Sequence, residues 1–185
     1  MTTMYTVDEI RDAYCDIANP DPKFLRDLIY HIEMDSEPCK AMSVAADFAL
    51  IEATPYVANH LGHKKRDVRE SAAGKLCRLL ANDHPDIDMY AAKLYHVAKY
   101  DDDVSNRALI AGFTGRIIDL FSPNMRNQFA ELLLSYAQLT LDIKFAYQGM
   151  LKSMDEKYES GDIPPMYPDF VDVDKVQRFR DKYNI

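Results

Sequence analysis

Histidines, cysteines and acidic side chains are the residues through which this 185-residue chain could hold a metal or move a proton, so their spacing decides which chemistry is open to it. His60 and His63, in HLGH, stand one helical turn apart, a separation at which two imidazoles can share an ion. A metalloprotease helix would add a glutamate between them and a third ligand at readable spacing. Neither is present, and Gly62 marks a helix ending there, so the pair reads as turn histidines. Asp101-Asp102-Asp103 suggests a calcium or magnesium site. Three consecutive side chains point three ways, however, and an EF-hand loop needs alternating ligands, a glycine and a distal glutamate. The triplet is expected to be a solvated turn ending in a helix N-cap. The acids of DHPDID, residues 83 to 88, suit the N-terminus of a helix begun at Pro85. There is no Gly-rich phosphate loop, no Gly-x-Ser-x-Gly elbow and no Cys-x-x-Cys. The expectation is no catalytic residue, no metal and no cofactor.

Charge separates the remaining candidates. Net charge is −8, and residues 1 to 60 hold 4 basic and 11 acidic side chains (4 − 11 = −7), whereas residues 61 to 100 hold 8 and 5 (8 − 5 = +3). Phosphate neutralisation needs a net basic face, so nucleic acid is not an expected partner of the whole. A local strip remains in Lys64, Lys65, Arg66, Arg69, Lys75 and Arg78, weakened by the interleaved Asp67 and Glu70. Tyr90, Tyr95 and Tyr100 are spaced by five and are expected to pack at helix seams with hydroxyls at the rim.

Positioning these groups falls to helices. With 48% hydrophobic and 28% charged residues the chain is globular rather than disordered or fibrous. Its length is enough for a single core that needs no staple. Cys15, Cys39 and Cys77 are odd in number and far apart, which fits reduced, packed thiols in the cytoplasm. MTTMYTVDEIRDAY lacks a basic region followed by an apolar one, so no secretory signal is expected, and no apolar run approaches a bilayer span.

Thr6 and Glu9 form a capping box ahead of Val7, Ile10, Tyr14 and Ile17, which recur at helical spacing until Asn19-Pro20-Asp21-Pro22 stops them. A second helix from about Lys23 to Met34 carries Phe24, Leu25, Leu28, Ile29 and Ile32 on one side. Ser36 is expected to cap a third helix carrying Ala41, Val44, Ala45, Phe48 and Leu50 or Ile51. Pro55 starts a short helix ending near Leu61-Gly62, and Asp67 is expected to cap the next, whose stripe is Val68, Ala72, Leu76, Leu79 and Leu80. Pro85 opens another, with Met89, Ala92, Leu94 or Tyr95 and Val97 inward, before Asp103-Val104 leads Ala108, Leu109, Ile117 and Ile118. After Pro123, Phe129, Leu132, Tyr136, Leu139, Ile143, Ala146 and Met150 predict one long helix or two nearly collinear ones. Residues 160 to 174, SGDIPPMYPDFVDVD, should run extended before a short helix over Val173 to Tyr183.

A proline-led helix, a turn, Asp-Val-Arg and then an Ala/Leu-rich helix resembles the HEAT-repeat family. The match is best at Pro55 to Leu80 and weaker at Pro85 to Leu120, where Ser105 replaces the arginine and Gly112 and Gly115 interrupt the stripe. A deoxyhypusine-hydroxylase-like HEAT enzyme would carry paired His-Glu dipeptides, which are missing here. The expectation is an all-α chain: a short stack of HEAT-like helical hairpins over residues 1 to 160, closed by a long C-terminal helix, then an extended segment and short helix over 161 to 185. Such stacks hold other proteins. The expected function is a non-enzymatic, cytoplasmic, protein-binding adaptor or inhibitor that does not engage membranes, with an immunity protein neutralising a basic toxin as its narrowest form. A nucleic-acid-binding HEAT-like module of the alkylation-repair kind is the alternative. The expected partner-binding residues are Asp8, Asp12 and Asp16 among the acids and Lys75, Arg78 and Arg116 among the bases.

Overall fold

The computed structural model describes residues 4–16, 20–137, 143–155 and 173–185. These are all-α, with ten α-helices, three short 3-10 turns and no strand among them. None of these helices is long and apolar enough to cross a membrane. The chain divides into two compact units, Met1–His84 and Pro85–Ile185. Ile17, Leu139, the boundary expected at residue 160 and the proline-rich stretch as far as residue 172 lie outside the described residues.

In the first unit, α1 spans Val7–Asp16, α2 Pro22–Glu33, α3 Pro38–Asp47, α4 Thr54–Asn59 and α5 Arg66–Leu80. The capping box forms in both directions. Thr6 N–H donates to Glu9 Oε2 at 2.7 Å, and Glu9 N–H donates to Thr6 Oγ1 at 3.3 Å. Asp21 caps α2 by accepting from Lys23 N–H at 2.8 Å, ahead of a proline whose missing donor leaves no bond unmade. Two expected caps fall elsewhere. Glu37, not Ser36, precedes α3, because the Ser36 hydroxyl bonds the His31 ring at 3.0 Å; Lys65 precedes α5, putting Asp67 inside its first turn. The core is Val7, Ile10, Leu28, Ile32, Ala41, Val44, Ala45, Val68, Ala72, Leu76, Leu79 and Leu80, all expected on periodicity, joined by Met42, Val57 and Leu61. Each such Leu or Ile contributes about 1.5–3 kcal/mol relative to exposure. Helices α2 and α3, α3 and α5, and α4 and α5 pack together.

In the second unit, α6 spans Ile87–Tyr100, α7 Val104–Thr114, α8 Pro123–Ala137, α9 Ile143–Ser153 and α10 Val173–Tyr183. Helix α6 faces inward through Tyr90, Ala91, Leu94 and Ala98. The expected Met89 and Ala92 are instead exposed, and Val97 is half-buried. The register is set from behind by α8: the Tyr95 ring meets Phe129 edge-on at 5.3 Å, and the buried Tyr136 hydroxyl donates to the Ala98 carbonyl at 2.6 Å. Burial holds the Tyr136 phenol above its ordinary value.

The stretch after Pro123 is neither one long helix nor a collinear pair, because α8 and α9 pack against each other, which end-to-end helices cannot do. Spacings of three and four look the same in a sequence whether a helix continues or folds back. Helix α9 also lies against α7, and its seam is made of glycines. A Cβ on Gly149 would stand 2.7 Å from the Gly112 Cα, so the residues that interrupt the α7 stripe are what let the two backbones touch. Helix α10 buries Phe179 and Tyr183, and Asp119 accepts both Lys182 Nζ at 2.7 Å and the Tyr183 hydroxyl at 3.0 Å.

Candidate functional site

Asp35, Asn59, His60, Gly62, His63 and Lys64 line a shallow cleft of about 430 Å³ in the first unit. His60–Gly62 is a 3-10 turn followed by an extended His63, and the two histidine rings stack with centroids 5.8 Å apart. The His63 Nδ1 accepts the Lys65 N–H at 3.1 Å, which leaves the ring proton on Nε2, 3.1 Å from Asp35 Oδ2. Both His63 nitrogens are therefore engaged. The His60 Nδ1 meets the Tyr56 carbonyl at 3.0 Å, and because a carbonyl only accepts, the proton is on Nδ1 and Nε2 is the open acceptor. The His63 hydrogen bond, ahead of the positive charges nearby, holds the Asp35 carboxyl below its ordinary value. Chemically the cleft presents one imidazole lone pair, the Asp35 carboxylate, a lysine and an amide, with no serine, threonine or cysteine beside them. Among the described residues no three His, Cys, Asp or Glu are grouped to hold a metal ion.

Asp101-Asp102-Asp103 ends in the expected cap, with Asp103 Oδ1 accepting from Asn106 N–H at 3.0 Å. The expected solvation of the whole turn is corrected, because Asp101 is buried. Its Oδ2 accepts from the wholly buried Asn106 amide at 2.7 Å and its Oδ1 from Asp103 N–H at 2.9 Å. Three acids in a row thus serve three purposes: an internal strut, an exposed side chain and a cap.

The partner-binding candidates divide by location. Asp8, Asp12 and Asp16 recur every four residues on the exposed side of α1. Asp8 stays exposed but is paired with Lys40 at 2.7 Å and Arg11 at 2.9 Å, and the Lys40 hydrogen bond holds its carboxyl below the ordinary value. Asp12 and Asp16 have no ionic partner among the described residues. On α5, Arg78 pairs with Asp47 of α3 at 2.6 Å and Lys75 is half-buried. Arg69, which follows the Asp-Val step, donates to the His63 and Lys64 carbonyls at 2.9 and 3.3 Å, closing the turn ahead of its own helix. Arg116 belongs to the second unit and is exposed; burial, with the Arg116 charge second, holds Lys152 below the ordinary lysine value.

Sequence reasoning missed one polar cluster. His31 is buried on the core side of α2, with Nε2 at 2.8 Å from the Tyr5 carbonyl and Nδ1 on Ser36, while the buried Asp27 accepts from Tyr5 N–H at 3.0 Å. Its only signal was position: residues 27 and 31 flank Leu28 and Ile32 on the apolar stripe. Comparisons with known proteins found no matching family model, no matching curated relative and no matching solved structure.

Proposed function

We propose that the protein is a non-enzymatic, cytoplasmic, protein-binding adaptor or inhibitor. In this reading its helix pairs form a short HEAT-like stack. An immunity protein that neutralises a basic toxin by binding it is the narrowest form of the proposal. The observation that carries it is the pair Asp12 and Asp16, exposed one turn apart on α1 without an ionic partner among the described residues. Such a pair is available to a cationic surface, unlike Asp21 and Asp103, which cap helices, and Asp8 and Asp47, which are ion-paired.

Binding of the partner co-purified from the source cell should slow in association when Asp12→Asn and Asp16→Asn are combined, and more so at low salt, because exposed charges act mainly on the on-rate. Unchanged kinetics would remove α1 from the interface. The rival reading has one observation in its favour, the exposed Lys64 and Lys65 on the turn before α5 and the exposed Arg66 that begins it. Sub-micromolar affinity of the parent for duplex DNA at about 0.15 M salt would put it in place of the adaptor.

A further inference from the structure

The side of α6 that turns away from its core contacts carries Met89, Lys93, His96 and Tyr100, at i, i+4, i+7 and i+11. At 1.5 Å per residue these four make a straight ridge about 16 Å long. All four are exposed, and two are large apolar side chains left uncovered, Met89 at 50% and Tyr100 at 61%. The aromatic end is organised: the His96 and Tyr100 rings lie 5.1 Å apart, and Lys99 Nζ stands 5.5 Å from the Tyr100 ring centre and 3.3 Å from the Tyr95 hydroxyl. Methionine, tyrosine and cation-aromatic contacts of this kind are what protein interfaces concentrate at their centres.

Charge says what covers the ridge. Arg11, Lys23, Lys40, Arg78 and Lys182 each have a carboxylate within 4 Å, as expected in a chain of net charge −8. Lys93 and Lys99 have none among the described residues; their ammonium groups lie 5.3–5.6 Å from the ring centres of Tyr90, Tyr95 and Tyr100. A ridge with apolar ends, Met89 and Tyr100, and two unmatched cations, Lys93 within it and Lys99 beside Tyr100, complements an amphipathic surface that carries acids. A straight ridge of helical spacing suits another helix laid along it. Nucleic acid fits less well, because two lysines would have to offset the repulsion of the acidic whole and Met89 would face phosphate.

We propose that the outer ridge of α6 docks an acidic amphipathic helix of a partner protein. The inference rests on the protein-binding reading but uses a different helix from α1, so either can fail alone. The probe is a fluorescent helical peptide of about 20 residues with leucine and glutamate at heptad spacing. Alongside it are run the same peptide with lysine for glutamate and a duplex DNA of similar length. The glutamate peptide should bind the full chain, and the lysine peptide and the duplex should not. Lys93→Glu with Lys99→Glu, and separately Met89→Ala with Tyr100→Ala, should each weaken binding about tenfold, with far-UV circular dichroism unchanged because all four side chains are exposed. Asp12→Asn with Asp16→Asn should leave peptide binding intact. Absence of binding by the glutamate peptide, equal binding of both peptides, binding of the duplex instead, or indifference to the α6 substitutions would each overturn the proposal.

Discussion

Gly149 of α9 lies so close to Gly115, at the end of α7, that a Cβ added to Gly115 would fall 2.1 Å from the Gly149 carbonyl oxygen. The obstacle is backbone and cannot swing aside. Gly115→Ala should therefore destabilise the protein by about 1–3 kcal/mol or more, the range of an overpacked contact. Gly62, with nothing within 4 Å of an added Cβ, is the internal control, and Gly62→Ala should leave the melting temperature unchanged or slightly raised. Equal melting temperatures for the two variants would contradict the α7–α9 seam.

Helix α3 ends in a left-handed residue that is not glycine. Ala49 has φ 52°, with Leu50 N–H bonded to the Ala45 carbonyl at 2.9 Å in the manner of a Schellman cap. An alanine there is strained by about 1–2 kcal/mol, partly offset by the greater freedom that glycine has when unfolded. Ala49→Gly should move the urea midpoint upward with an unchanged slope, and a downward shift would contradict the geometry.

Acid should weaken the first unit through three carboxyls. Asp8 is held low chiefly by its hydrogen bond with Lys40, Glu9 by the Thr6 N–H, and Asp35 by His63. A carboxyl depressed on folding contributes stability above its unfolded value, near 4, and loses it as the pH falls through its lower folded value. The melting temperature should hold down to about pH 4 and decline below it. Glu9→Gln and Asp8→Asn should each flatten that decline, and an acid limb with the parent's slope in both would contradict the assignment.

Asn106 and Asp101 bear on each other inside the second unit. Asn106→Ala removes the amide that donates to the buried Asp101 Oδ2 at 2.7 Å, and should cost about 2 kcal/mol in urea unfolding. Asp103→Ala, which removes only the N-cap of α7, should cost about 1 kcal/mol. The reverse ranking would mean that the cap, and not the buried strut, holds the turn.

What could be read in the sequence was what neighbours in the chain decide. The Thr6–Glu9 box, the Asp103 cap and the bounds of α10 depend on residues within one turn of each other, and all three stand as expected. The α6 register could not be read, because Met89, Tyr90, Ala91, Ala92, Leu94 and Tyr95 put apolar groups on nearly every side. The choice fell to Phe129 and Tyr136, more than thirty residues on. Ser36 was lost as a cap to a distant claim on its hydroxyl by His31. The acidic face of α1 followed from spacing alone, whereas the fate of each acid on it did not: Lys40, which takes Asp8 out of play, enters from another helix.

The bond from the Tyr136 hydroxyl to the Ala98 carbonyl pins the last turn of α6 from behind, just before Tyr100 emerges on the other side. A helix fixed in that way keeps its outward side chains in one arrangement whether or not anything touches them. Its companion would have to give up its own disorder, but this chain would have little left to lose, and the free and bound forms of α6 should superpose.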